Sequence, residues 1–98
     1  MKTVELDAYV LETLMPDLVG HDRAPSALLV FLFLWIQTRG AGVASIQLSL
    51  VDIAIGTGLS KRAVQDALAR LLKRKLISIQ RDGITAVPVY AVKRPWVR

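Results

Sequence analysis

A polar stripe in the stretch Ser60 to Arg74 carries the side chains best suited to molecular recognition. Its members recur at helical spacing: Lys61, Arg62, Gln65, Asp66 and Ala69. Arginine can donate two hydrogen bonds to guanine, glutamine can pair with adenine, and alanine can contact the methyl group of thymine. A helix with such a stripe fits the major groove of B-form DNA. The alternative is that the stripe is only the solvated side of an amphipathic helix.

Catalytic and metal-binding chemistry finds little support in the sequence. There is no cysteine, and the single histidine, His21, has no nucleophile close to it in the chain. No glycine-rich phosphate loop is present either, so we expect no enzymatic activity, no cofactor and no metal site. The lack of cysteine excludes a disulfide framework and fits a reduced, cytoplasmic setting.

Basic residues are concentrated in the second half of the chain. Residues 1–49 carry three Lys and Arg against five Asp and Glu, whereas residues 50–98 carry ten against three. A basic half joined to an acidic half suggests a surface that faces a polyanion, and nucleic acid is the commonest such partner. Charge alone leaves a plain solvated basic face equally open.

Two predicted helices with a tight turn between them position the polar stripe. Ser49 and Asp52 have the spacing of a capping box, so a short helix begins at Ser49. Gly58 supplies the left-handed turn that ends it, and Ser60 caps a second helix that runs to about Arg74. The buried face of the second helix is expected to comprise Ala63, Val64, Ala67, Leu68, Leu71 and Leu72. Candidate DNA contacts outside the stripe are Ser49, Ser60, Lys73 and Arg81.

The spacing of small and apolar residues in these helices resembles a known motif. Ala54 is followed four residues later by Gly58 and six residues after that by Val64, with Ile53 and Leu59 as further core positions. This pattern resembles the helix-turn-helix signature of bacterial and phage DNA-binding proteins. The stretch LSKRAVQDALARLLKRKLI extends the resemblance to winged helix-turn-helix regulators, over about residues 44–92. The resemblance implies an α+β fold: a three-helix core with an extra N-terminal helix, a short strand and a C-terminal β-hairpin wing.

A β-hairpin is predicted over residues 76–92, the position of the wing. Asp82-Gly83 favours a tight turn that joins the two strands of this hairpin directly. Arg81, beside the turn, is placed to reach backbone phosphate or the minor groove, with a lone exposed arginine as the alternative. Pro88 cannot donate to a ladder, so we expect it to face an open edge. Winged helix-turn-helix domains commonly have glycine at the position of Lys75, so either Lys75 adopts a left-handed backbone or the helix ends differently.

The N-terminal half is predicted to cover the helix-turn-helix. A short helix over Leu6 to Met15 should end or bend at Pro16. A longer helix from about Pro25 to Thr38 follows, and its stretch Ala27 to Ile36 is apolar on every side. Two short neighbouring helices offer too little surface to cover this stretch, so we expect a homodimer. Val43 to Leu48 alternates like a short strand. Its inward residues would be Ala44, Ile46 and Leu48.

The chain is expected to form one domain over residues 1–98. Its parts are an N-terminal helix and loop (1–24), a core helix and short strand (25–48), the helix-turn-helix (49–75), the wing (76–92) and a basic tail (93–98). In that tail, Trp96 is expected to pack on its own domain or a partner subunit rather than to stack on nucleic acid. No apolar stretch approaches the roughly 20 residues that span a bilayer, so no membrane partner is expected.

The leading hypothesis is sequence-specific binding to duplex DNA as a transcriptional regulator, with residues 60–74 in the major groove. Two alternatives stay open. The same fold can serve as a protein-interaction or assembly module, or as the DNA-binding domain of a replication initiator or plasmid-maintenance protein. The sequence reveals neither an operator nor a small-molecule effector.

Overall fold

The computed structural model describes residues 1–83 and 86–97, and in this part of the chain helices pack against a small antiparallel sheet. After an N-terminal helix come α1 (Pro25–Gln37), α2 (Leu50–Thr57) and α3 (Lys61–Lys73); the strands are β1 (Ile46–Gln47), β2 (Ile77–Gln80) and β3 (Val89–Val92). The strands lie in the order β1-β3-β2, and both pairings are antiparallel. The predicted α+β class is confirmed.

The N-terminal helix spans residues 8–21 and continues through Pro16, so of the two predicted outcomes, an end or a bend, an end at Pro16 is wrong. Its wide π-type turns, Val10–Leu14 and Pro16–His21, bond N–H groups to carbonyls five residues earlier. Proline has no N–H, and in an α-helix its ring clashes with the carbonyl four residues earlier. The wider π-type turn relieves that clash. Leu18, fully buried, then holds the second turn against the core.

Helix α1 begins at Pro25, as predicted, and contacts the N-terminal helix, α2, α3 and β3. Its buried residues are Ala27, Leu28, Val30, Phe31, Leu34 and Trp35. Leu29 and Ile36 stay exposed on the remaining face, so a single chain covers most of this apolar helix. The apolar surface that α1 leaves exposed is therefore narrower than the sequence indicates. Among the residues that the structure describes, no helix has the length and apolar character to cross a membrane.

The two capped helices and their turn form as predicted. The Ser49 side chain accepts from the N–H of Asp52 (3.1 Å), and the Ser49 N–H donates to the Asp52 carboxylate (3.0 Å). Gly58 ends α2 in a left-handed conformation with φ 78°. The Ser60 side chain then accepts from the N–H of Ala63 (3.1 Å) and starts α3.

Close packing joins α2 to α1 and α3. Ile53 of α2 and Val64 of α3 are fully buried, as their spacing predicts. Gly56 lies against the Phe33 ring of α1, and a Cβ at this position would overlap that ring. The sequence does not indicate this second glycine requirement, because the ring comes from a helix distant in the chain.

Helix α3 ends at a left-handed residue that carries a side chain. Lys75 has φ 59°, its N–H donates to the Leu72 carbonyl (3.0 Å), and the N–H of Leu76 donates to the Leu71 carbonyl (3.0 Å). These two bonds form a Schellman motif, in which glycine usually takes the left-handed position. Of the two exits considered from the sequence, a strained Lys75 is the one observed.

Strand β3 lies between β1 and β2, and its register contradicts the predicted tight turn. Gln80 pairs with Val89, so residues 81–88 connect the strands. A turn of two residues at Asp82-Gly83 is therefore wrong, as is one continuous strand up to Val92. Residues 84 and 85, which the sequence assigns to that strand, lie outside the described residues.

Pro88 lies outside the β2–β3 ladder in the observed register. A tight turn at Asp82-Gly83 would place Pro88 opposite Ile77, inside the ladder, where its missing N–H would cost a bond. Instead the Pro88 carbonyl accepts from the N–H of Leu48 (3.1 Å), so Pro88 faces the β1 side and not an open edge. The strand at β1 is shorter than predicted, and Ala44 is exposed rather than inward, whereas Ile46 and Leu48 are half-buried.

The C-terminal tail (residues 93–97) packs on the N-terminal segment (residues 1–9). Trp96 stacks on Tyr9, with ring centroids 4.7 Å apart, and its Nε1 donates to Asp7 Oδ2 (3.0 Å). Arg94 donates to the same oxygen (3.1 Å). The prediction that Trp96 packs on its own domain is confirmed.

Candidate nucleic-acid interface

Helix α3 separates its polar and apolar faces almost as predicted. The polar stripe of Lys61, Arg62, Gln65, Asp66 and Ala69 is exposed along its whole length. On the opposite side, Val64, Ala67, Leu68 and Leu71 are buried. Of the other two residues predicted to be buried, Ala63 is half-buried and Leu72 is 43% exposed. Leu72 therefore belongs to the surface, next to the polar stripe.

A groove runs between α3 and the β2–β3 sheet. Gln65, Ala69 and Leu72 line its helix side, and Arg81 and Tyr90 line its sheet side, around a volume of about 250 Å³. Two members of the polar stripe and the predicted hairpin arginine thus share one concave surface. The apolar lining that Leu72 gives this groove is not predicted from the sequence, because the apolar periodicity of α3 assigns that position to the core.

The other predicted contacts border this groove or lie beyond it. Leu50, which follows Ser49, lines the groove, so the capped end of α2 forms part of its rim. Lys73 ends α3 and lines a second hollow, of about 310 Å³, together with Asp66, Ala69 and Arg70. Lys73 and Arg81 therefore flank α3 rather than meeting in one pocket.

Much of the predicted basic surface is paired internally. Arg74 binds the Asp22 carboxylate through Nε (2.8 Å) and Nη2 (2.6 Å), and Arg70 lies 4.0 Å from the same carboxylate. Hydrogen bonds from Arg74, and then from His21, hold the pKa of the Asp22 carboxyl well below its usual range. The acidic N-terminal half thus neutralises part of the basic half.

Fewer cations remain for an external polyanion than the composition suggests. Within residues 1–83 and 86–97, no salt bridge involves Lys61, Lys73 or Arg81. Arg62 has a partner on its own helix, Asp66, at 3.5 Å, and both side chains are exposed. These three cations lie on α3 and beside the hairpin, close to the groove, but they are not the only ones outside the ion pairs: Lys2, Arg23 and Lys75 also form none within the described residues.

Comparisons of this chain with protein-family models, curated proteins and solved structures found no match. The geometry around α3 is therefore the basis for any functional assignment. In the described part of the chain, no cluster of three or more His, Cys, Asp and Glu could hold a metal ion.

A polar hollow lies apart from the groove, at the end of α1. It has a volume of about 460 Å³ and is lined by the N-terminal segment together with Trp35, Arg39 and Gly40. The Trp35 Nε1 donates to the Glu5 carbonyl (2.8 Å), and the Arg39 guanidinium sits 5.3 Å from the Trp35 ring centroid. The indole N–H of Trp35 and the guanidinium of Arg39 thus already have partners within the chain, so the hollow suggests no particular ligand.

Proposed function

We propose that this chain is a winged helix-turn-helix domain that binds duplex DNA sequence-specifically and acts in transcriptional regulation. In this account α3 is the recognition helix in the major groove, and the β2–β3 hairpin is the wing on the backbone or minor groove. One observation carries the proposal: Gln65 and Ala69 of the exposed stripe line the same groove as Arg81 of the hairpin.

The direction of α3 supports the assignment. Lys61, Arg62 and Gln65 lie in its first two turns, and recognition helices use their N-terminal residues to contact base edges. The N–H groups and the positive end of the helix dipole also favour phosphate at that end. Lys73 and Arg81, on either side of the helix, are positioned to contact backbone phosphates.

Selection of bound sequences from a random duplex pool, followed by titration of variants, tests the proposal. Arg62→Ala and Gln65→Ala should each weaken the selected site by about 1–3 kcal/mol and relax preference at one base pair. Arg81→Ala should weaken selected and random duplexes alike and lower the salt slope by about one.

Lys2→Ala is the matched control, because it removes an exposed cation from the N-terminal segment rather than from α3. It should leave the preference for the selected site intact. If Arg62→Ala and Gln65→Ala bind that site as tightly as the parent does, the assignment of this face to the major groove is wrong.

The proposed domain acts as a homodimer. The exposed apolar side chains Leu29 and Ile36 on α1 and Ile55 on α2, the last 78% exposed, supply apolar surface for a second copy. The same side chains favour a protein-interaction or assembly module as the second candidate. Sedimentation at micromolar concentration should give twice the chain mass of 10.8 kDa, and a monomer would exclude the dimer.

A further inference from the structure

We propose that Asp66 is a positioning residue, which orients the Arg62 guanidinium for reading a base and thereby contributes to sequence specificity. The inference rests on the proposed function, because it concerns how the same surface discriminates DNA sequences. Arg62 Nε lies 3.5 Å from Asp66 Oδ1, one helical turn along the exposed face of α3. The contact is made through Nε rather than through the terminal amino groups, so those two groups can donate together to guanine.

Helix stability does not account for Asp66. In pairs spaced four residues apart, the favourable order places the acid before the base, and here the base comes first. The side chains of Arg62 and Asp66 are 84% and 69% exposed, so water and salt screen their attraction. Aspartate is also a poor helix former in a helix interior.

Attraction to a polyanion does not account for Asp66 either. A carboxylate on a face that meets DNA repels phosphate and opposes binding to any sequence. Asp66 also borders the hollow that contains Arg70 and Lys73, yet among the described cations only Arg62 lies within 4 Å of it. Orientation of Arg62 is the role that offsets these costs.

The test compares Asp66→Asn, Arg62→Ala and the double variant on the selected duplex and on a random duplex of equal length. Asp66→Asn should weaken the selected site by about three- to tenfold, less than loss of the base contact itself, because Arg62 remains but is no longer oriented. The same variant should tighten the random duplex, because a negative charge is removed. Removal of charge alone would tighten both duplexes, so opposite signs exclude a carboxylate that only repels DNA.

The double variant and two controls complete the test. In the Arg62→Ala background, Asp66→Asn should tighten both duplexes, because no guanidinium remains to orient. Asp66→Glu, which keeps the carboxylate, should retain most of the preference for the selected site. Glu12→Gln removes an equal charge from an exposed position on the N-terminal helix and should not lower that preference.

Three results would overturn the inference in distinguishable ways. If the parent is selective and Asp66→Asn tightens both duplexes equally, Asp66 only repels DNA. If Asp66→Asn weakens the selected site equally in the Arg62→Ala background, Asp66 contacts a base directly. If the parent binds selected and random duplexes equally, the proposed function fails and the inference fails with it.

Discussion

Replacing Asp22 with asparagine should break the Asp22–Arg74 clamp, the ion pair that joins the end of the N-terminal helix to the end of α3. The Asp22 side chain is 5% exposed and accepts from two nitrogen atoms of Arg74, at 2.8 and 2.6 Å. Asparagine keeps the shape but has one accepting oxygen, and its amide nitrogen would face a guanidinium that can only donate. Truncating a buried pair typically costs about 3–5 kcal/mol. The Arg74 side chain is 29% exposed, so water recovers part of this, and we expect a loss of about 2–3 kcal/mol.

Urea unfolding at neutral pH measures this loss directly, and thermal unfolding should show a fall of roughly 10–20 °C for a domain of this size. Asp17→Asn is the matched control, because its side chain is 46% exposed and lies 3.8 Å from Arg74. That variant should lose about 0.5 kcal/mol or less. An Asp22→Asn protein as stable as the Asp17→Asn protein would refute the buried clamp.

Acid should remove the same stabilisation. Arg74 lowers the pKa of Asp22 in the folded state, so the unfolded chain binds the proton more readily. The contribution is therefore complete above the unfolded pKa of about 4 and is lost as the pH falls below that value. The parent should lose more stability than Asp22→Asn on acidification below about pH 4. Parallel stability curves for the two proteins would contradict this assignment.

Three backbone and packing predictions follow from α2 and from the end of α3. Gly58→Val should cost roughly 1–3 kcal/mol, because a β-branched residue resists a left-handed backbone, and an unchanged melting temperature would contradict this. Gly56→Ala should also destabilise, although alanine favours helices, because its methyl group would overlap the Phe33 ring. Phe33→Leu should recover part of that loss in the double variant. Lys75→Gly should stabilise the fold by about 0.5–1 kcal/mol in chemical unfolding, by removing side-chain strain at φ 59°.

Local signals in the sequence predict α1, α2 and α3 closely, because each begins at a residue whose chemistry marks a helix start. Pro25, Ser49 and Ser60 act within their own first turns, so no distant part of the chain is needed to interpret them. The polar stripe of α3 was predictable for the same reason. A strongly amphipathic helix separates its faces by periodicity alone.

Features that depend on distant residues were not predictable from the sequence. The Asp22–Arg74 clamp joins positions 52 residues apart. A count of basic residues therefore includes Arg74 among the available cations, although its guanidinium is paired. The hairpin register places Val89 opposite Gln80 and bonds the Pro88 carbonyl to the N–H of Leu48, and the local preference of Asp82-Gly83 for a tight turn indicates neither contact. Leu72 follows the apolar period of α3, but the sheet leaves a groove at that position rather than closing over it.

The central claim, that α3 and the hairpin bind duplex DNA, is tested most directly by titrating the parent chain with selected and random duplexes at several salt concentrations. The proposal predicts that the logarithm of the binding constant falls linearly with the logarithm of salt concentration for both duplexes. The selected duplex should remain the tighter ligand by a factor of about 10³ or more. Failure to bind either duplex at about 50 mM salt would contradict the claim and favour the protein-interaction module.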